Sequence, residues 1–263
     1  MFRYKIKDID KWNKHLKTKN FILNLCYKAK EYNTDIINPL SLHHMSYCGE
    51  YKQISTNYIT TYTPCNNRIC PICNWFKRYK QVKQIITQVT RLVTEGKKLL
   101  FGTFTIQAVK GYELSKALDI LTAGIKKLLA TKKVSKNLLG YMRNIEINYN
   151  KNINKFTPHM HIILVVKSTF YKGKKNYIKN NEWQRLWSSK IEHRCQPQAK
   201  VKAVQNINDD IQRVLLYNIK NNNIAGYHNI NKELVQAFIT LTAVIKKRRL
   251  FSFGGVLSKK FIQ

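Results

Sequence analysis

The apolar positions of this chain follow two rhythms, one helical and one alternating, and their order predicts the fold. "WFKRYKQVKQIITQVTRLVTEG", from about Trp75 to Gly96, repeats its apolar residues every three or four positions. It reads as a long basic amphipathic helix stopped by Gly96. "KLLFGTFTIQAV" (98–109) alternates and is rich in β-branched and aromatic residues, so it reads as a strand. "ELSKALDILTAGIKKLLAT" returns to helical period. "GYMRNIEINYN" (140–150) and "FTPHMHIILVV" (156–166) predict two strands joined across a turn-like "KNINKFTP". "NNEWQRLWSSKI" reads as a helix, "AKVKAVQNI" as a short strand, and "NDDIQRVLLYNIKNNN" as a helix with Asn208 or Asp209 as its N-cap. "NKELVQAFITLTAVIKKRR" is a last helix, and "LFSFGGVLSKKFIQ" a basic tail. Upstream, a helix is expected around "HLKTKNFILNLCYKAKEY", and residues 48–73 read as loop.

The order β-α-β-β-α-β-α between residues 98 and 222 predicts an α+β fold, with a central antiparallel sheet covered by helices. Three regions are expected. A basic N-terminal region with a cysteine cluster and a basic helix covers 1–95, a catalytic core 96–230, and a C-terminal helix and tail 231–263.

Charge narrows the partners. The chain has 263 residues, and 47 Lys+Arg stand against 14 Asp+Glu, a formal net charge of +33. Such a field repels itself unless a polyanion is the usual partner, and nucleic acid leads over an anionic membrane surface or a ribosome. There is no apolar run long enough to span a bilayer and no secretory h-region at the start, so a cytoplasmic protein is expected. In that reducing setting the six cysteines read as thiols or metal ligands rather than disulfides.

Residues i and i+2 of a strand share a face, so His159 and His161 stand side by side while Met160, Ile162 and Leu164 point into a core. On the preceding strand Asn144, Glu146 and Asn148 form the polar face. A hairpin would place Glu146 with the two histidines. Two imidazoles and a carboxylate make a three-ligand site with open positions for a divalent ion, Mn²⁺ or Mg²⁺, although a histidine pair on a strand can also be purely structural. In the helix after Asp209, residues Ile211, Val214, Leu215 and Ile219 form the apolar stripe, and Tyr217 falls beside Asp210, Arg213 and Lys220. Cations lower a phenol's pKa and neutralise phosphate. A metal site with a cation-flanked tyrosine specifies cleavage of a phosphodiester through a 5′-phosphotyrosyl link, releasing a 3′-OH. The bland alternative is an ordinary boundary tyrosine.

Cys65, Cys70 and Cys73 have metal-ligand spacing, with Cys48 as a fourth ligand, or His43 or His44 in its place. Structural zinc competes here with a set of reduced buried thiols. Lys77 and Arg78, on the basic helix that follows, are candidate contacts to duplex DNA or part of a solvated face.

Taken in order, "CNNRICPICNWFKR", "FGTFTI", "GYMRNIEINYN" with "FTPHMHIIL", "VLLYNIK" and "KKRRLFSFGGVL" resemble the rolling-circle replication initiators of small plasmids, in the HUH endonuclease superfamily. The resemblance runs from about Cys65 to Val256. It implies the HUH nuclease fold, His159, His161 and Glu146 as metal ligands, Tyr217 as nucleophile, and Lys220 as a support for the phosphate. It implies origin DNA as partner, with a single-stranded or hairpin nick site, together with a host helicase and polymerase and a dimeric form. The chain departs from the family at Arg213, where many initiators carry a glutamate used in termination. Arginine cannot act as a base there and would hold phosphate instead. Termination would then fall to Asp209, Asp210, Tyr227 or a second protomer. The rival readings are a transposase or mobilisation relaxase with the same chemistry, and a non-catalytic zinc-containing nucleic-acid-binding protein.

Overall fold

A computed structural model of the chain describes residues 2–5, 9–32, 34–55, 58–61, 64–173, 175–192, 195–216, 229–246 and 248–258. In chain order the elements are β1 (Phe2–Lys5), α1 (Ile9–Lys30), α2 (Pro39–Ser46), β2 (Tyr51–Ser55), β3 (Tyr58–Thr61), α3 (Pro71–Thr94), β4 (Lys98–Thr105) and α4 (Leu114–Ala130). They continue with α5 (Lys132–Ser135), β5 (Leu138–Asn150), β6 (Lys155–Val166), α6 (Asn180–Ser188), β7 (Gln198–Ala203), α7 (Ile207–Leu216), α8 (Lys232–Ile245) and β8 (Phe251–Gly255). The chain forms two compact units. One is Met1–Tyr79 with Ile219–Lys246, the other Lys80–Asn218 with Lys247–Gln263.

In the first unit β1, β3 and β2 form an antiparallel sheet in that order. Helix α1 packs on α2 and α8. Trp12 is fully buried and meets Trp75 edge-on at 6.0 Å and Phe76 at 5.1 Å, which fixes α1 against the start of α3. Asn38 caps α2, its Oδ1 accepting from the Ser41 N–H at 2.7 Å, with Pro39 preset for the first turn. Asn231 caps α8 in the same way at 3.0 Å.

The second unit is built on a five-stranded antiparallel sheet, β7-β4-β6-β5-β8, with helices on it, the α+β architecture expected. Its central strand β6 has no exposed face over Ile162, Ile163, Leu164 and Val165, all fully buried. One face carries Phe104 against Trp183 and Trp187 of α6, with α4 alongside. The other carries Leu99, Phe101, Met142, Ile163 and Phe251 beneath Val82, Ile85, Val89 and Leu92 of α3 and Ile211 and Val214 of α7. Four residues turn β5 into β6, and Asn154 adopts a left-handed φ of 47°, a conformation asparagine tolerates better than most residues.

Three local expectations change. The loop expected over 48–73 contains β2 and β3. Phe251–Gly255, within the stretch read as a basic tail, form β8, an edge strand paired with β5 from Gly140↔Gly255 to Asn144↔Phe251. Glycines allow that pairing: Gly255 has φ +59°, and a Cβ there would sit 2.1 Å from the Leu139 carbonyl oxygen. The cap of α7 is Asn206, whose Oδ1 accepts from the Asp209 N–H at 3.2 Å, in place of Asn208 or Asp209.

Candidate functional site

The sheet face covered by α3 and α7 is apolar over one half and polar over the other, and the strand register explains the change. Thr103 pairs with His161 and Thr105 with His159 across β4 and β6. Asn144 pairs with His161 and Glu146 with His159 across β5 and β6. Because cross-strand partners share a face, both imidazoles lie between a threonine and an amide or carboxylate. The side chains use that placement. Thr105 Oγ1 is 3.0 Å from His159 Nδ1, and Thr103 Oγ1 is 3.1 Å from His161 Nδ1. His161 Nε2 lies 2.7 Å from Glu146 Oε2, with the carboxylate buried. The two rings are nearly coplanar in orientation, 8° apart with centroids 6.4 Å apart, and His161 stacks on Phe101. Burial pushes the His159 imidazole below its usual range, against the pull of Glu146, and so favours the neutral form.

Glu146, His159 and His161 are ligand types that a divalent ion takes, but they do not bring three ligand atoms within 4.8 Å of one another, so holding an ion would require the side chains to draw together. Both Nδ1 atoms are engaged by hydroxyls, which donate or accept and so support either tautomer, while Nε2 is the ligand end. Glu146 closes directly on His161, so an ion would come between those two atoms. Thr103, Thr105 and Asn144 were not singled out from the sequence. The alternation of "FGTFTI" was visible, but the register that sets its threonines against the histidines was not.

The next strand adds charge to the same face. Phe101 pairs with Lys202, Thr103 with Lys200 and Thr105 with Gln198. Lys200 and Lys202 are exposed. The Lys202 amine lies 5.6 Å from the Phe101 ring centroid and 3.8 Å from Asp210 Oδ1. Arg213 stands 3.7 Å from the same oxygen. Asp210 is buried and Asp209 exposed, so Asp210 is an ion-pairing group rather than part of an open helix face. The fully buried Asn144 donates from Nδ2 to the Val214 carbonyl at 2.7 Å and fixes α7 to β5 beside the histidines. Helix α7 is described to Leu216. The expected nucleophile Tyr217, with Lys220 and Tyr227, lies outside the described residues.

The first unit holds a second cluster. Cys48, Cys65, Cys70 and Cys73 bring their sulfurs within 4.8 Å of one another, and among the described residues no other group of three or more such ligands does so. Cys48 Sγ is 3.4 Å from Cys73 Sγ and 3.6 Å from Cys70 Sγ, and Cys65 Sγ is 3.7 Å from Cys73 Sγ. Four sulfurs around a tetrahedral zinc at Zn–S ≈ 2.3 Å stand about 3.8 Å apart, so the group can hold such a metal. Hydrogen bonds from Cys65, then Cys70 and Cys73, pull the Cys48 thiol far down, and the Cys65 N–H also points at its sulfur at 3.5 Å. The buried Lys19 amine donates to the Ser46 and Cys48 carbonyls at 2.7 and 2.9 Å, placing a cation beside this thiolate-forming group. His43 and His44, the alternative ligands, lie outside the cluster. On α3, Lys77 is exposed; burial, and then Arg68, lower the Arg78 guanidinium to about 10.

Comparison with known proteins places this geometry in context. Residues 57–262 match the family model described as "Replication protein". A "Protein rep" of Lactiplantibacillus plantarum is 32% identical over 236 residues, 82% of this chain and 73% of the relative. A "Protein rep" of Streptococcus pneumoniae is 31% identical over 59% of this chain and 50% of the relative. A "Replication protein" of Staphylococcus aureus is 29% identical over 61% of this chain and 71% of the relative. No solved structure matches the chain.

Proposed function

The chain belongs to the replication protein family, and from that membership we propose that it initiates plasmid replication by nicking one strand of origin DNA. The observation that carries this reading is the Glu146/His159/His161 set, joined to α7 through the Asn144–Val214 hydrogen bond. Val214 precedes Tyr217 by three residues, so the clamp holds the chain leading to the proposed nucleophile against the strands bearing the histidines.

Glu146, His159 and His161 would hold Mn²⁺ or Mg²⁺, which supplies charge withdrawal from the scissile phosphate. Lys200, Lys202 and Arg213 hold the flanking phosphates, and Lys220 the one under attack. The Tyr217 phenol gives up its proton and its oxygen bonds phosphorus. The P–O3′ bond breaks, and the leaving 3′ oxygen takes up a proton. The products are a 3′-OH that a host polymerase extends, with a helicase opening the duplex ahead, and a 5′ end linked to the protein. Arg213 binds phosphate without serving as a base, so the second cleavage uses Asp209, Tyr227 or a second protomer. Asp210 is the weaker choice because Lys202 and Arg213 already face it. Family membership favours this replication role over a transposase or mobilisation relaxase. Zinc at the four cysteines would stabilise the first unit, and Lys77 would contact duplex DNA.

The test uses supercoiled plasmid carrying the cognate origin. The protein should convert it to the open circle in Mn²⁺ and stop when EDTA is added. His161→Ala should lose the conversion, and equal conversion by that variant would remove the reading.

A further inference from the structure

The excursion after β6 carries a feature that the nicking chemistry does not use. Between Lys167 and Lys179 the sequence "KSTFYKGKKNYIK" holds five lysines and no acid. Tyr171 and Tyr177 are 45% and 40% exposed, unusual for such large rings. They lie against each other with centroids 5.6 Å apart and planes 37° apart. Both stand edge-on over the buried Phe170, at 5.0 and 5.8 Å.

The described residues of the loop that presents them are tied by several hydrogen bonds. Asn176 Nδ2 donates to the Thr169 and Lys172 carbonyls, and the Lys172 N–H to the Thr169 carbonyl. Asn137 Nδ2 donates to the Asn176 carbonyl at 3.0 Å, and Lys136 Nζ to the Lys175 carbonyl, tying the loop back to the turn before β5. The rings are therefore held in place before anything binds, which removes most of the ordering cost of using them.

We propose that Tyr171 and Tyr177 form a stacking platform for unpaired bases of a DNA strand whose phosphates lie along Lys167, Lys172, Lys175 and Lys179. Two observations carry it together: a pair of exposed aromatic rings in contact, and exposed lysines at 167, 172, 175 and 179 in a segment that itself holds no acid. A π-face accepts any base, but only one that has left its duplex stack, so the surface selects single-stranded over duplex DNA. A protein partner would use the apolar rings but has no need of a segment whose only charges are lysines. Burial, and then Tyr177, push the Tyr171 phenol above its usual range, so that ring carries no charge to oppose phosphate. The platform follows the end of β6 opposite the histidines, with His161 and Val166 roughly 17 Å apart along the strand. It therefore engages bases displaced from the scissile bond and holds the melted strand open. The inference rests on the proposed role at an origin only for its setting, since the contact needs no cleavage.

The experiment compares the full chain with a Tyr171→Ala/Tyr177→Ala double variant and a Tyr171→Phe/Tyr177→Phe double variant. All are titrated without added divalent ion and without chelator, so that metal at the four cysteines is kept, against fluorescein-labelled oligo(dT) of about 20 nucleotides and a blunt duplex of equal length. The alanine pair should bind oligo(dT) about tenfold or more weaker, because each stacked base contributes that much. Duplex affinity should change by less than about twofold, and the salt dependence should stay, because the lysines remain. The phenylalanine pair, which keeps both π-faces, should match the parent and controls for folding. Unchanged oligo(dT) affinity in the alanine pair, or equal losses on single strand and duplex, would overturn the platform and leave the rings to a protein partner. Because no Mn²⁺ or Mg²⁺ is added and oligo(dT) carries no cognate nick site, these outcomes do not depend on whether the Glu146/His159/His161 set supports nicking.

Discussion

The two candidate metal sites are built in opposite ways. The cysteine cluster draws its four thiols from positions 48 to 73, and its sulfurs lie within 4.8 Å of one another, three of the pairs at 3.4 to 3.7 Å, near the spacing of a zinc tetrahedron. No ligand position is left for a reactant, as structural zinc sites require. The Glu146/His159/His161 set is spread over two strands, has its histidines braced from a third, and keeps its rings 6.4 Å apart. With three donors it leaves coordination open. A metal at the first site would only hold the fold together. At the second, the proposed ion would stay open to a reactant, and the residues proposed to hold it depend on neighbours for their orientation.

The largest effect should come from breaking the closed site. Removing zinc, or Cys70→Ser, should unfold the first unit and cost on the order of several kcal/mol, because ligand binding there is folding energy. Metal analysis of protein purified without chelator should find about one zinc per chain. Thermal unfolding with and without chelator should show the loss, and protein that contains no zinc and melts identically would break the comparison at its strongest point.

Next is the clamp behind the open site. Asn144→Ala removes a buried hydrogen bond to α7 and should lower stability by about 1–3 kcal/mol. It should slow nicking while Mn²⁺ affinity, measured by calorimetry, changes little. A loss of Mn²⁺ affinity with normal nicking would reverse the role assigned to it.

A smaller effect is expected at the threonines. Thr103→Val and Thr105→Val keep shape but remove the hydroxyl that orients each imidazole, and should weaken Mn²⁺ binding by about 10–100-fold. Zinc content should not move, which separates the two sites.

The smallest effect is a pH limb. Burial holds His159 below the usual imidazole value of about 6.5. A ligand must be neutral, so Mn²⁺ binding is present above the folded-state pKa and is lost as pH falls through it. The acid limb should therefore lie below about pH 6.5, and a limb above that value would contradict the burial.

Much of this architecture was legible because periodicity is local. The α3 stop at Gly96, the β5–β6 hairpin and the shared face of Glu146, His159 and His161 follow from spacing alone. What was not legible depends on partners distant in sequence. β8 looks like a tail until Gly140 and Gly255 allow it against β5. Thr103 and Thr105 are ordinary strand residues until the β4–β6 register sets them beside imidazoles. The sequence puts Asp210 on the helix face of Arg213, but its burial and its pairing with Lys202 depend on the position of β7, which spacing does not give. The sequence named Cys65, Cys70 and Cys73 with Cys48 ahead of His43 or His44 as the fourth group, and the fold brings those four sulfurs together while leaving the two histidines outside.

The central claim is that Tyr217 becomes covalently joined to DNA in a reaction supported by the Glu146/His159/His161 set. The direct measurement mixes the protein with a 3′-end-labelled single strand spanning the cognate nick site, in Mn²⁺, and resolves the products on a denaturing gel. Wild type should give a labelled protein–DNA adduct that EDTA prevents. Tyr217→Phe should give none, although it binds the strand equally well. An adduct that persists in Tyr217→Phe, or one that forms equally in EDTA, would contradict the account.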